Sequence, residues 1–332
     1  MNRIGLFFQG ILRGCRGSAR KSAPVFLALA LWPGPTAAGV ADFTRSGSPN
    51  IQSIAALVVD VSSGEVLLER RADALRPIAS LSKLAAALVI QKECALSPQG
   101  LHQMSVKNRE AARGGDKSVL RTGWQYSHRD LLHAALMRSD NRALPALGEA
   151  CGLTPIALAG RMKEVAGKLG LTRTCFREPN GLSLENVSTA REVMTLLREA
   201  LKDPVLAEIL GKRSYVLFAR KGSQTLGVEI QSTDRLLSKG LARVLGGKTG
   251  YTDIARYCLA IGARTLSGRD LGMVFLGAEG RHTRFADFTR VIKWLERSGA
   301  DHGPGEQVSR TGAAGVLPDD GHEGKVDASL AQ

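Results

Sequence analysis

Strand-like runs stand near both ends of the chain and helical periodicity fills the stretch between them, an order that restricts the fold more than any single motif does. The text from Ser53, SIAALVVDVSSGEVLLERRADALRP, holds two β-rich runs at 55–61 and 65–69 around Ser62-Ser63-Gly64, a hairpin signal. Helical patterns follow at about 82–93, 127–137, 141–150, 155–169 and 189–201. The last opens on NVSTARE, where Ser188 or Thr189 can cap and Glu192 lies a turn inside. Strands return in SYVLFAR from Ser214, LARVLGGKTG from Leu241, YCLAIGAR from Tyr257 and LGMVFLGA from Leu271. A closing helix, RHTRFADFTRVIKWLERSG, sets Phe285, Phe288, Val291, Ile292 and Leu295 on one face. The expectation is an α/β (α+β) fold: one antiparallel sheet made from both chain ends, flanked by helices, with an all-helical subdomain inserted. At 332 residues and 44% apolar, the chain can fill such a core.

The ends read differently. Residues 1–41 carry Arg3, Arg13, Arg16, Arg20 and Lys21 without an acid, then VFLALALW at 25–32 and the small residues PGPTAAGVAD. That layout predicts a signal peptide over 1–41, cut after Ala38 or Ala41, and an exported protein in the periplasm or cell-wall space. An uncleaved anchor is the alternative, although eight apolar residues fall short of the ~20 that span a bilayer. A lipoprotein reading at Cys15 places an arginine beside the cut. Segment 42–300 is the folded domain, and 301–332 lacks periodicity and reads as a disordered tail.

Segment 42–300 carries +13, from 38 basic and 25 acidic side chains, whereas the tail holds six acids and two bases. Such a domain favours a polyanionic partner, and export argues against nucleic acid. Any membrane contact would run through an uncleaved presequence. Cys94, Cys151, Cys175 and Cys258 have scattered spacing with no CxxC rhythm. They read as buried free thiols, with pairing undetermined and no metal site or cofactor implied.

Three short stretches carry chemistry. In PIASLSKLAAALVI, Ser80 and Lys83 are i and i+3 neighbours at the start of an apolar helix. A serine there can attack an acyl carbon if the amine is buried beside other cations and so able to take its proton. Read alone the pattern is weak: SARK at 18–21 matches it, and a capping serine with a solvated lysine fits equally. In MRSDNRALPALGEACG, Ser139 and Asn141 flank Asp140 between two helical patterns, so a short loop can aim both into a cleft while Asp140 caps the next helix. A simple turn, as in SPN at 48–50, is the bland reading. In GGKTGYTD, alternation along a strand sends Lys248 to one face, and Gly250 leaves room for a substrate backbone. Lys248 and Thr249 suit a peptide carboxylate; the alternative is a glycine-rich strand end.

Taken in order, these stretches are the motif set of penicillin-binding proteins and class A β-lactamases. Over about 50–297 the chain resembles the low-molecular-mass penicillin-binding proteins, serine D-alanyl-D-alanine peptidases of the S11 kind. REPNGLSLENVSTAREVMTLL, STDRLL and the closing helix are similar as well. The likeness is nearest to the D-alanyl-D-alanine endopeptidase branch, because the second motif runs into NRAL and only 82 residues follow Gly250, without space for an added β-rich domain. The resemblance implies a β-lactamase/transpeptidase-like fold and D-alanyl cleavage of peptidoglycan stem peptides through an acyl-enzyme, with β-lactam antibiotics as covalent inhibitors. It implies Lys83 as base to Ser80, Ser139 as proton relay, and Asn141, Lys248, Thr249 and Gly250 as substrate-binding residues. Backbone N–H groups of Ser80 and Tyr251 would form the oxyanion hole. Asp234 stands where relatives commonly have asparagine, and Arg256 where they usually have glycine. A class A β-lactamase is the enzymatic alternative, since Glu178 falls in the interval of the deacylating glutamate. Leu182 nevertheless takes the place of the required asparagine. A wall-binding or penicillin-sensing module without turnover is the other alternative.

Overall fold

A computed structural model describes residues 48–112, 114 and 118–298. The expected signal peptide, Cys15 and the expected tail lie outside the described residues.

The chain enters as the hairpin β1 (Ala55–Asp60) and β2 (Val66–Arg70), then a short β3 (Arg76–Pro77) and a 3₁₀ turn, Ala79–Ser82. Next come α1 (Lys83–Glu93), β4 (Leu101–Gln103), α2 (Val106–Glu110), β5 (Gln125–Ser127) and α3 (His128–His133), which runs into a π-helical turn, Ala134–Arg138. Helices α4 (Ala143–Ala150) and α5 (Pro155–Lys168), strand β6 (Val187–Ser188), α6 (Ala190–Lys202) and α7 (Pro204–Leu210) follow. The hairpin β7 (Ser214–Lys221) and β8 (Gln224–Gln231) and a second 3₁₀ turn, Arg235–Ser238, lead to β9 (Arg243–Thr252), β10 (Arg256–Arg264), β11 (Asp270–Ala278) and α8 (Thr283–Ser298).

The main sheet is antiparallel in the order β2-β1-β11-β10-β9, so both chain ends build it, as the order of apolar runs implies. Period-two alternation divides its residues between two cores. Ala55, Leu57, Val274, Leu276 and Ala260 face the layer of α1 and α6, while Val58, Met273, Phe275 and Ile261 face α8. Because both faces are covered, β1 is buried along its whole length. Helix α1 has Lys83 through Ile90 buried, with no polar face, and so serves as the central helix of the larger core.

Two expectations are corrected. The inserted region is not all-helical: it carries a four-stranded sheet, β4-β5-β7-β8. The run from Ser214 joins that sheet by pairing with β8 along its length, instead of returning to the main one. Its partner, QTLGVEIQ, escapes notice because only its Ile230 is fully buried and most of its other positions face solvent. The thiols are not all free either. Cys94 and Cys151 form a disulfide with a Cα–Cα distance of 5.7 Å, joining the ends of α1 and α4. Among the described residues Cys258 is a buried free thiol.

Candidate active site

The nucleophile turn is built by close main-chain approach. Ala79, next to Ser80, holds a left-handed φ of 48°, a costly conformation for a residue with a Cβ. Two glycines allow the neighbours to clamp it. A Cβ on Gly181 would stand 1.9 Å from the Ala79 carbonyl oxygen, and one on Gly250 would stand 3.1 Å from the Ser80 nitrogen. This revises the expectation for Gly250: the space its missing side chain leaves is filled by the 78–80 turn, not by substrate. Ser82 Oγ donates to the Ala79 carbonyl at 2.9 Å, and Asn186 Nδ2 donates to Ser82 Oγ, tying the turn to the 178–186 loop.

Ser80 is partly open to solvent, whereas Lys83 is fully buried. Lys83 Nζ lies 3.0 Å from Ser80 Oγ, 2.7 Å from Asn141 Oδ1 and 2.7 Å from the Asn180 carbonyl oxygen. A neutral amine has two N–H donors and one lone pair. Here Lys83 donates to Ser80 Oγ and the Ser80 hydroxyl donates to the Asn180 carbonyl at 3.3 Å; once the amine loses its proton, Asn141 and Asn180 can take its two remaining donors and leave the lone pair for the Ser80 hydroxyl. The solvated-lysine reading is thereby excluded, and Asn141 is placed as a partner of the amine.

The second amine faces the first. Lys248, on edge strand β9, is buried, and its Nζ donates to Ser139 Oγ at 3.0 Å and to the Thr249 carbonyl at 2.9 Å. Burial, then the charges of Lys83 and Arg284, hold its ammonium well below the ordinary lysine pKa, while Asp234 pulls in the opposite direction. Ser139 sits at φ 62°, the left-handed residue that ends the π-helical turn. Asp140 does not cap α4 as expected. Its carboxylate accepts from Ser118 Oγ, Val119 N and Arg142 N, and so pins the 118–120 loop to the turn that carries Ser139 and Asn141.

Several supporting residues lie in stretches that resemble the family but carry no role in the sequence reading. Thr233 accepts from Thr249 Oγ1 at 2.7 Å, and its own N–H and hydroxyl donate to the Met137 carbonyl, bridging the second and third motifs. Arg284 donates to the carbonyls of Gly250 and Cys258, fixing the β9–β10 pair beneath Tyr251, and burial lowers its pKa to about 10. Asp234 is buried with Oδ1 on the Leu236 N–H, and burial raises its pKa to about 6. Asn180 acts through its main-chain oxygen and Gly181 through an absent Cβ. The PNG turn that contains both is the one trace of them in the sequence.

The fold, with a partly exposed serine 3.0 Å from a buried lysine amine, is that of the serine acyl-transfer enzymes of the β-lactamase/transpeptidase fold. Comparison narrows the class. The family model for D-alanyl-D-alanine carboxypeptidase, peptidase S11, matches residues 42–280. A D-alanyl-D-alanine endopeptidase of Pseudomonas aeruginosa is 34% identical over 275 residues, 82% of this chain and 86% of that protein. One from Escherichia coli K12 is 30% identical over 253 residues, 76% of this chain and 80% of that protein. The crystal structure of a D-alanyl-D-alanine carboxypeptidase from Mycobacterium tuberculosis covers 79% of this chain and 96% of its own, at 26% identity and a TM-score of 0.68. The chain belongs to the peptidase S11 family, the serine D,D-peptidases of peptidoglycan.

Proposed function

We propose that the chain is an exported D-alanyl-D-alanine endopeptidase that opens peptide cross-links in peptidoglycan through an acyl-enzyme on Ser80. The observation that carries this reading is the Lys83 amine, buried, 3.0 Å from Ser80 Oγ and beside the acceptors Asn141 Oδ1 and the Asn180 carbonyl. Lys83 takes the hydroxyl proton as Ser80 Oγ bonds to the penultimate D-alanine carbonyl carbon. The resulting oxyanion is held by the N–H groups of Ser80 and Tyr251. Ser139, hydrogen-bonded to Lys248, passes a proton to the leaving amine, and the C–N bond breaks. Water then hydrolyses the ester and frees Ser80. Asn141 orients the stem peptide while it holds Lys83, and Thr249 with Lys248 receives a carboxylate or its equivalent.

Two relatives named as endopeptidases, each matched over at least 80% of its length, support cross-link cleavage over carboxypeptidase action. The β-lactamase alternative is disfavoured by Glu178. Its carboxylate accepts the main-chain N–H groups of Asn180, Leu182 and Ser183, so it serves the loop's own turn and is not aimed at a deacylating water. β-Lactam antibiotics are expected to acylate Ser80 and persist there. The Cys94–Cys151 bridge supports an oxidising, extracytoplasmic location. Digestion of a purified cross-linked muropeptide dimer, followed by mass analysis, tests the reading. Conversion of dimer to monomers is expected; loss of a terminal D-alanine with the cross-link intact would refute endopeptidase action.

A further inference from the structure

A groove of about 650 Å³ lies between the Arg235–Ser238 turn and helix α8, on the side of the main sheet away from α1. Its wall is cationic: Arg235 and Lys239 come from the turn, and His282, Arg290 and Lys293 from α8 and its approach, over a floor of Phe285. No acidic side chain lines it. Arg290 pairs with Asp287, whose two oxygens are also engaged by Gln52 and Ser53. Among the described residues, Arg235, Lys239 and Lys293 form no ion pair, and all three are exposed. Like charges gathered without counter-charges oppose folding and raise the local potential, a cost that is recovered when an anion enters.

The groove opens on the opposite face of the main sheet from α1, and its turn is tied to the third motif through the chain. Thr249 of β9 is hydrogen-bonded to Thr233, and the chain passes from Thr233 through buried Asp234 directly into Arg235. Because β9 is the edge strand of the main sheet, a second strand of a cross-linked polymer has a route around that edge to the cationic wall.

We infer that this groove is a second binding site for the wall polymer, taking the carboxylates of a stem peptide next to the one being cut. The assignment rests on the reading of the chain as a peptidoglycan peptidase, and it goes further by naming where a neighbouring strand is held. Carboxylates suit the wall because a guanidinium can grip them in a bidentate pair while the lysines add point charges. Retention on a cross-linked polymer follows from holding two strands at once, since the second contact becomes intramolecular.

The test uses the full chain carrying Arg235→Ala, Lys239→Ala and Lys293→Ala together. Labelling by a fluorescent penicillin and cleavage of a soluble muropeptide dimer are expected to stay within about twofold of the parent, which also reports correct folding. Binding to insoluble purified sacculi, measured by pelleting in a Ser80→Ala background, is expected to fall about tenfold at low salt, with the difference closing at high salt. Sacculi whose carboxylates have been amidated should bind the parent no better than they bind the triple variant. Wild-type pelleting by the triple variant, no effect of amidation, or preference of the parent for phosphatidylglycerol vesicles over sacculi would overturn the proposal. Failure of the catalytic reading is separable: it shows as an absence of labelling and cleavage in the parent, whatever the pelleting result.

Discussion

Two residues depart from the pattern the chain resembles, and each has a physical consequence. Asp234 packs its Oδ2 against Gly247, where a Cβ would stand 2.5 Å from that oxygen, and no hydrogen bond reaches it. Burial raises the pKa from 3.8 to about 6, so the folded state keeps a proton that the unfolded chain releases between those values. Its stabilising contribution is complete below about pH 4 and is lost as pH rises through 6. Asp234→Asn should therefore match the parent near pH 4 and exceed it by up to about 3 kcal/mol above pH 7. Urea midpoints at both pH values decide this, and parallel pH dependence in the two proteins would contradict it. Arg256, which the resemblance sets against glycine, holds a φ of 60° at the start of β10. Arg256→Gly should raise stability by about 0.5–1 kcal/mol, because the left-handed region disfavours a Cβ. A lower thermal midpoint in that variant would refute the strain argument.

At the scale of elements, the sequence was most readable where burial is complete. The runs of β1, β10, β11 and α1 are apolar because their central residues are covered on every side, and their bounds agree with the sequence reading within a residue or two. Strand β7 is legible in SYVLFAR, whereas β8 is not, because Leu226 and most of its other positions are exposed and Gly227 interrupts it. Spacing along the chain could not reveal that α1 and α4 end side by side, and so it gave no sign of the Cys94–Cys151 bridge. Replacing both cysteines by serine should cost about 2–4 kcal/mol, since the bridge closes a loop with a sequence separation of 57. Denaturation with and without reductant checks this; an unchanged midpoint would show the bridge to be energetically idle.

At the scale of the whole molecule, topology does what local sequence cannot. Ser80 and Lys83 come from the start of α1, Ser139 and Asn141 from the turn before α4, and Lys248 from an edge strand of the main sheet, yet they close on one cleft. Their order along the chain identified the motifs. What holds them in place was not legible, because it consists of main-chain approaches and shared acceptors: the Asn180 carbonyl, the Gly181 contact and the Thr233 bridge. Such contacts arise only when distant segments meet.

Intact-mass measurement after incubation with benzylpenicillin bears most directly on the gathering of a hydroxyl and its base at Ser80. The parent should gain a single penicilloyl group mapping to the peptide that contains Ser80, and Ser80→Ala should gain none while remaining folded. An adduct of the same mass on Ser80→Ala, or undiminished D,D-cleavage by that variant, would contradict the account.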